Sequence, residues 1–89
     1  MLVEMEQIYY GGNGLSMEDA VIINAQNTTT GVRAEYEYVK NHMGEDFENW
    51  IFAYQQCTFA ENKSYDVLVY ERGEEVRKYY FDITQFFGK

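Results

Sequence analysis

Few side chains in this chain can do chemistry near neutral pH: one His (His42), one Cys (Cys57) and fifteen acids among 89 residues. A nucleophilic thiol needs a neighbouring base and electropositive surroundings. Only His42 is on offer as that base, and the net charge of −8 works against a thiolate, so Cys57 reads as a half-buried structural residue. A zinc site would have to complete its shell with carboxylates, an unusual donor set. His42 reads instead as a surface residue near a helix C-terminus, where the carbonyl ends welcome a cation. The acid pairs Glu4/Glu6, Glu35/Glu37 and Glu74/Glu75 make poor acid–base pairs, because neighbours one or two positions apart on a helix diverge. Asp46 and Glu48 lack the spacing and glycine of a calcium loop. No catalytic residue, metal or cofactor is expected, and the chain does not read as an enzyme.

Gly11-Gly12-Asn13-Gly14, followed by Ser16, could turn backbone N–H groups toward an anion. The Lys-Ser/Thr pair of a phosphate loop is missing, however, and Glu18 and Asp19 would repel phosphate. A tight connection is the preferred reading. The alternative is a small-ligand domain in which this loop and the rings of Tyr9, Tyr10 and Trp50 line a pocket.

The elements that must position these groups follow from periodicity and turn residues. Leu2 to Tyr10 suits a strand. Ser16-Met17-Glu18-Asp19 has the form of a capping box before a short helical turn, and Val21-Ile22-Ile23 prefers a strand. Val32, Tyr36, Val39 and Met43 recur with helical spacing between cap candidates in Asn27–Thr30 and Gly44, which predicts a helix over 30–43. Arg33 and Glu37 are spaced to pair on its wet side. Trp50 to Phe59, Tyr65 to Tyr70 and Val76 to Ile83 read as three strands, joined through Glu61-Asn62-Lys63-Ser64 and Glu71-Arg72-Gly73-Glu74. The expected class is a single α+β domain over 1–89, order β-β-α-β-β-β, with one helix on a mostly antiparallel sheet.

Sixteen aromatic residues argue for a well-filled core, since each ring removes about 150–250 Å² from water. Tyr9-Tyr10, Tyr79-Tyr80-Phe81 and Phe86-Phe87 send neighbouring rings to opposite faces of an extended backbone. One helix covers one face, so an open face carrying Tyr79 and Phe81 is expected. Phe86 and Phe87 either tuck under the sheet or dock on another subunit.

Residues 1–48 hold nine acids against two bases, and residues 49–89 six against five. That bias disfavours nucleic acid and anionic lipid as partners. The start of the chain lacks the basic and apolar runs of a signal peptide, and one Cys cannot form an internal disulfide; a cytoplasmic location is expected. The functional expectation is a small acidic protein-interaction or regulatory module that binds a protein partner or pairs with itself as a homodimer. Tyr9, Tyr10, Asn13, Glu35, Glu37, Tyr79 and Phe81 are its expected contact residues.

Overall fold

A computed structural model describes residues 7–89. Its elements are β1 (Tyr9–Gly11), β2 (Val21–Ile23), α1 (Thr28–Met43), a 3₁₀ turn (Gly44–Asn49), β3 (Ile51–Ala60), β4 (Lys63–Arg72) and β5 (Glu75–Asp82). The order is β-β-α-β-β-β, as the periodicity predicts. Of the strand expected over 2–10, residues 2–6 lie outside the described residues. The Ser16 hydroxyl does accept from Asp19 N at 3.1 Å, but the chain there makes only a turn. The β-branched Val21-Ile22-Ile23 run follows too soon for a helix to propagate.

The strands form one sheet in the order β1-β2-β5-β4-β3. β3, β4 and β5 are a meander, whereas β2 joins β5 in parallel through Val21–Phe81 and Ile22–Asp82. The α1 connection makes that parallel pairing feasible, since a parallel neighbour needs a long crossover.

Asn27 caps α1 by accepting from Thr30 N at 2.9 Å, and Gly44 ends it with φ +61°. The face that α1 buries is Gly31, Ala34, Glu35, Val39 and Met43. Val32 and Tyr36, half of the predicted apolar stripe, lie on its flank and are only half-buried. Glu35, expected to be a contact residue, is in the middle of the buried face. Among the described residues no ion pair joins Arg33 to Glu37.

The core under α1 is built from Val21, Ile23, Leu68, Tyr70, Tyr79 and Phe81, closed at one end by Ile83 and Phe86. Tyr79 and Phe81 are therefore core residues and do not stand on an open face. Their neighbour Tyr80 takes the opposite face, as alternation requires.

The β3–β4 turn is Glu61-Asn62, with φ +50° and +65°. Two positive values define a type I′ hairpin, whose geometry matches strand twist but suits Asn-Gly better than Glu-Asn. A left-handed conformation costs an ordinary L-residue about 1–2 kcal/mol. The double change Glu61→Asn, Asn62→Gly is thus expected to stabilise the protein by about 1 kcal/mol. Thermal melting should show a rise of about 4–8 °C, the usual equivalent for a chain this small.

Candidate functional site

β3 occupies one end of the sheet, and no strand lies on its outer side among the described residues. Edge strands are usually blunted by short length, Pro or charge. This one is ten residues long, Ile51-Phe-Ala-Tyr-Gln-Gln-Cys-Thr-Phe-Ala60, without a Pro or a charged side chain. Ile51 is 73% exposed, Phe59 69%, Tyr54 48% and Phe52 42%. Its one protective feature is a bulge between Phe52 and Tyr54, which leaves Tyr54–Ala60 regular.

The hairpin determines which backbone groups face outward. In a two-residue turn the flanking pair, Ala60 and Lys63, is hydrogen-bonded. Pairs along an antiparallel ladder then alternate. With the observed register, Phe59–Ser64, Cys57–Asp66 and Gln55–Leu68 are the non-hydrogen-bonded pairs. Ser64 agrees: its N–H donates to Thr84 Oγ1 at 3.1 Å and its carbonyl accepts from Ile83 N at 2.8 Å, both away from β3. The N–H and C=O of Gln55, Cys57 and Phe59 therefore point to the free edge. Their three side chains share the sheet face that α1 covers.

On that face, beside the edge, a cleft of about 220 Å³ opens between α1, β3, β4 and the segment after β5. Val32, Ile83, Phe86 and Phe87 give it apolar walls, and Cys57 and Asp66 face into it. Asp66 is 3% exposed, and Glu35, packed against it from α1, is 0% exposed. As two carboxylates neither could donate to the other, and both Glu35 oxygens then lack any partner. Burial first, then a shared hydrogen bond and charge from Asp66, push the Glu35 carboxyl up to about 10. Glu35 is accordingly protonated at neutral pH, with its O–H directed to Asp66. The same surroundings hold the Cys57 thiol above its usual range, through burial and then the two acids. Cys57 is exposed, not half-buried as its neighbours implied, yet it is poorly suited to nucleophilic attack.

The remaining expected contact residues are scattered. Tyr9 ties β1 to α1 by donating its O–H to the Ala34 carbonyl at 2.7 Å. Tyr10 is exposed on the other face of β1, beside Ile22. Asn13 accepts from Leu15 N through its side chain and from the Tyr38 hydroxyl through its carbonyl. Glu37 is exposed on α1. Of the seven, none lines the cleft, and only Glu35 comes near it, buried behind Asp66. The glycine loop is folded back on itself: Gly12 N donates to Ala20 O at 3.1 Å and Gly14 N to Asp19 O at 2.7 Å. A Cβ at position 12 would meet Asp19 backbone atoms at 2.3–2.6 Å. Gly12 thus allows two backbone segments to touch, and those N–H groups are not turned toward a ligand. The guanidinium groups of Arg72 and Arg77 each lie 4.6 Å from the Trp50 ring centroid.

Arg72 is likewise engaged. It grips both Asp46 oxygens at 2.8 and 3.0 Å and also reaches Glu75. Hydrogen bonds from Asn49, Trp50 and Arg72 hold the Asp46 carboxyl below its usual range. His42 Nδ1 lies 3.0 Å from the Tyr79 hydroxyl. Among the described residues no three metal-ligating side chains cluster, and no helix is long and apolar enough to cross a membrane.

The edge strand and the carboxyl pair escaped the sequence reading. Lack of charge does not single out the edge: the uncharged run containing β3, Asn49–Ala60, is no longer than the one over Ala20–Val32. No protein-family model, curated protein or solved structure matches this chain.

Proposed function

We propose that this protein is a non-enzymatic interaction module that accepts a β-strand from a protein partner along β3. One observation carries the reading: a long regular edge with six unpaired backbone groups, bordered by exposed Ile51, Tyr54 and Phe59 and free of the residues that normally block strand addition. Main-chain hydrogen bonds would provide the affinity, and the alternate side chains beside the cleft the selectivity. The absence of charge on β3 matters here. It lets a neutral strand approach an otherwise acidic molecule without local repulsion.

Amide exchange, mapped residue by residue, tests this. The protein is measured alone at rising concentration and with a saturating alternating Val/Thr heptapeptide. Protection is expected to appear at Gln55, Cys57 and Phe59, while Tyr54, Gln56 and Thr58, already bonded to β4, stay unchanged. Phe59→Pro removes one outward N–H at an exposed position and leaves the β4 ladder intact, so it should suppress the new protection. No gain at those three amides under either condition would overturn the reading.

A further inference from the structure

We propose that the segment added to β3 is an extended peptide with a Lys or Arg opposite Cys57, whose cationic end enters the cleft and pairs with Asp66 and Glu35. The inference rests on strand addition at β3 and adds the identity of the partner.

Three observations lead to it. Residues directly opposite on paired strands share a face, so a residue opposite Cys57 points to the α1 side, at the mouth of the cleft. From there to Asp66, the partner of Cys57 on β4, is two strand spacings, roughly 9–10 Å. An extended Lys or Arg side chain reaches roughly 6–7 Å of that distance above the small Cys57 side chain, and the hydrogen bond and the Asp66 side chain span the rest, whereas Asn or Ser falls short. Second, the apolar walls suit the methylene part of such a side chain, and they lead to Asp66, with Glu35 buried directly behind it and no cation beside either. Among the described residues neither Asp66 nor Glu35 forms an ion pair. Third, Glu35 is fully buried with both oxygens orphaned as a carboxylate, and a cationic donor supplies the missing hydrogen bonds and charge. A second copy of this chain does not meet the same need. The residues β3 presents on that face are Gln55, Cys57 and Phe59, none of them basic.

Two acetylated, amidated heptapeptides test the inference: alternating Val and Thr with Lys at the centre, and the same with norleucine, which keeps the stem and removes the charge. Titration calorimetry at low salt is expected to show the Lys peptide binding at least about tenfold tighter, the usual scale of a hydrogen-bonded buried charge. The preference should fall below about twofold in Asp66→Asn and in Glu35→Gln, and it should shrink as salt screens the approach. Circular dichroism verifies the fold of each variant. Glu35→Gln keeps the shape and a donor toward Asp66, so it reports even if Asp66→Asn fails to fold. Equal affinity for the two peptides, with protection at Gln55, Cys57 and Phe59, would overturn the basic partner and leave strand addition standing. Protection that rises with protein concentration while neither peptide binds would overturn it in favour of a second copy. Absence of protection in every condition would remove both readings.

Discussion

Replacing Phe86 with Ala is expected to destabilise the protein by about 3–5 kcal/mol, the range for deleting a buried aromatic ring. An 89-residue chain holds only about 4–13 kcal/mol in total, so this one change consumes much of the margin. The reason lies in what the ring does. Phe86 is fully buried and lies against Gly31 in the first turns of α1; a Cβ there would come within 2.4–2.5 Å of three ring atoms. The same segment returns to the start of the helix, where the Lys89 carbonyl accepts from Thr28 N at 3.2 Å. Removing the ring therefore empties a core site and loosens a helix end together. Urea unfolding followed by Trp50 fluorescence reads the loss as a lower midpoint. Gly31→Ala supplies an internal control with a change of sign. In the parent chain, overpacking against Phe86 costs about 1–3 kcal/mol and outweighs the roughly 1 kcal/mol that Ala adds to a helix. With Phe86→Ala present the clash is gone, and Gly31→Ala should become stabilising. If Gly31→Ala destabilises both backgrounds equally, the ring is not what the glycine accommodates.

The turns and strands were legible because local chemistry decides them. Glu61-Asn62 and Gly73 mark two reversals, and the β-branched and aromatic runs between them have no other use. The helix was legible in extent but not in orientation. Its strongest apolar signal, Val32 and Tyr36, lies on the flank, while the buried centre is Gly31, Ala34 and Glu35, two small residues and an acid. Small side chains there let the Phe86 ring and the sheet approach closely, a tertiary demand without hydrophobic signature. The expectation of an open face with Tyr79 and Phe81 failed for a related reason. The second face of β4 carries Tyr65, Val67 and Val69, all buried, though α1 lies on the other side. Among the described residues their lateral neighbours are long: Val69 sits between Tyr54 and Lys78, and Val67 between Gln56 and Tyr80. Long side chains lying across a sheet shield its middle strand without a second layer. Exposure is then greatest where lateral neighbours run out, at β3. Which strand forms the edge depends on β2 docking beside β5 rather than beside β3, and nothing local to Trp50–Phe59 encodes that choice.

Glu35→Gln is expected to stabilise the protein by about 3 kcal/mol at pH 7, and the gain should vanish near pH 4.5. The native carboxyl is raised to about 10 from an ordinary 4.5. Between those values the folded protein keeps a proton that the unfolded chain releases, so stability falls as pH rises. This contribution is fully present below pH 4.5 and is lost progressively toward pH 10. At pH 7 the size is insensitive to the native value, as long as that lies above 7. It depends on the distance from 4.5, at about 1.4 kcal/mol per pH unit. Gln matches the protonated acid in shape and donates to Asp66 at every pH, so the variant lacks this slope. Urea midpoints at pH 5 and pH 8 measure it: the two proteins should nearly coincide at pH 5 and separate widely at pH 8. Parallel stability profiles would mean that Glu35 ionises in the fold as it does in water. A carboxyl retained at such a cost contradicts every local rule for a core position, and conflicts of that kind concentrate at functional sites. Here the conflict lies behind β3, the edge to which a partner strand would add. A cation delivered along that edge would let Glu35 ionise with a counter-charge in place, so the stability forgone in the free protein is available to the complex.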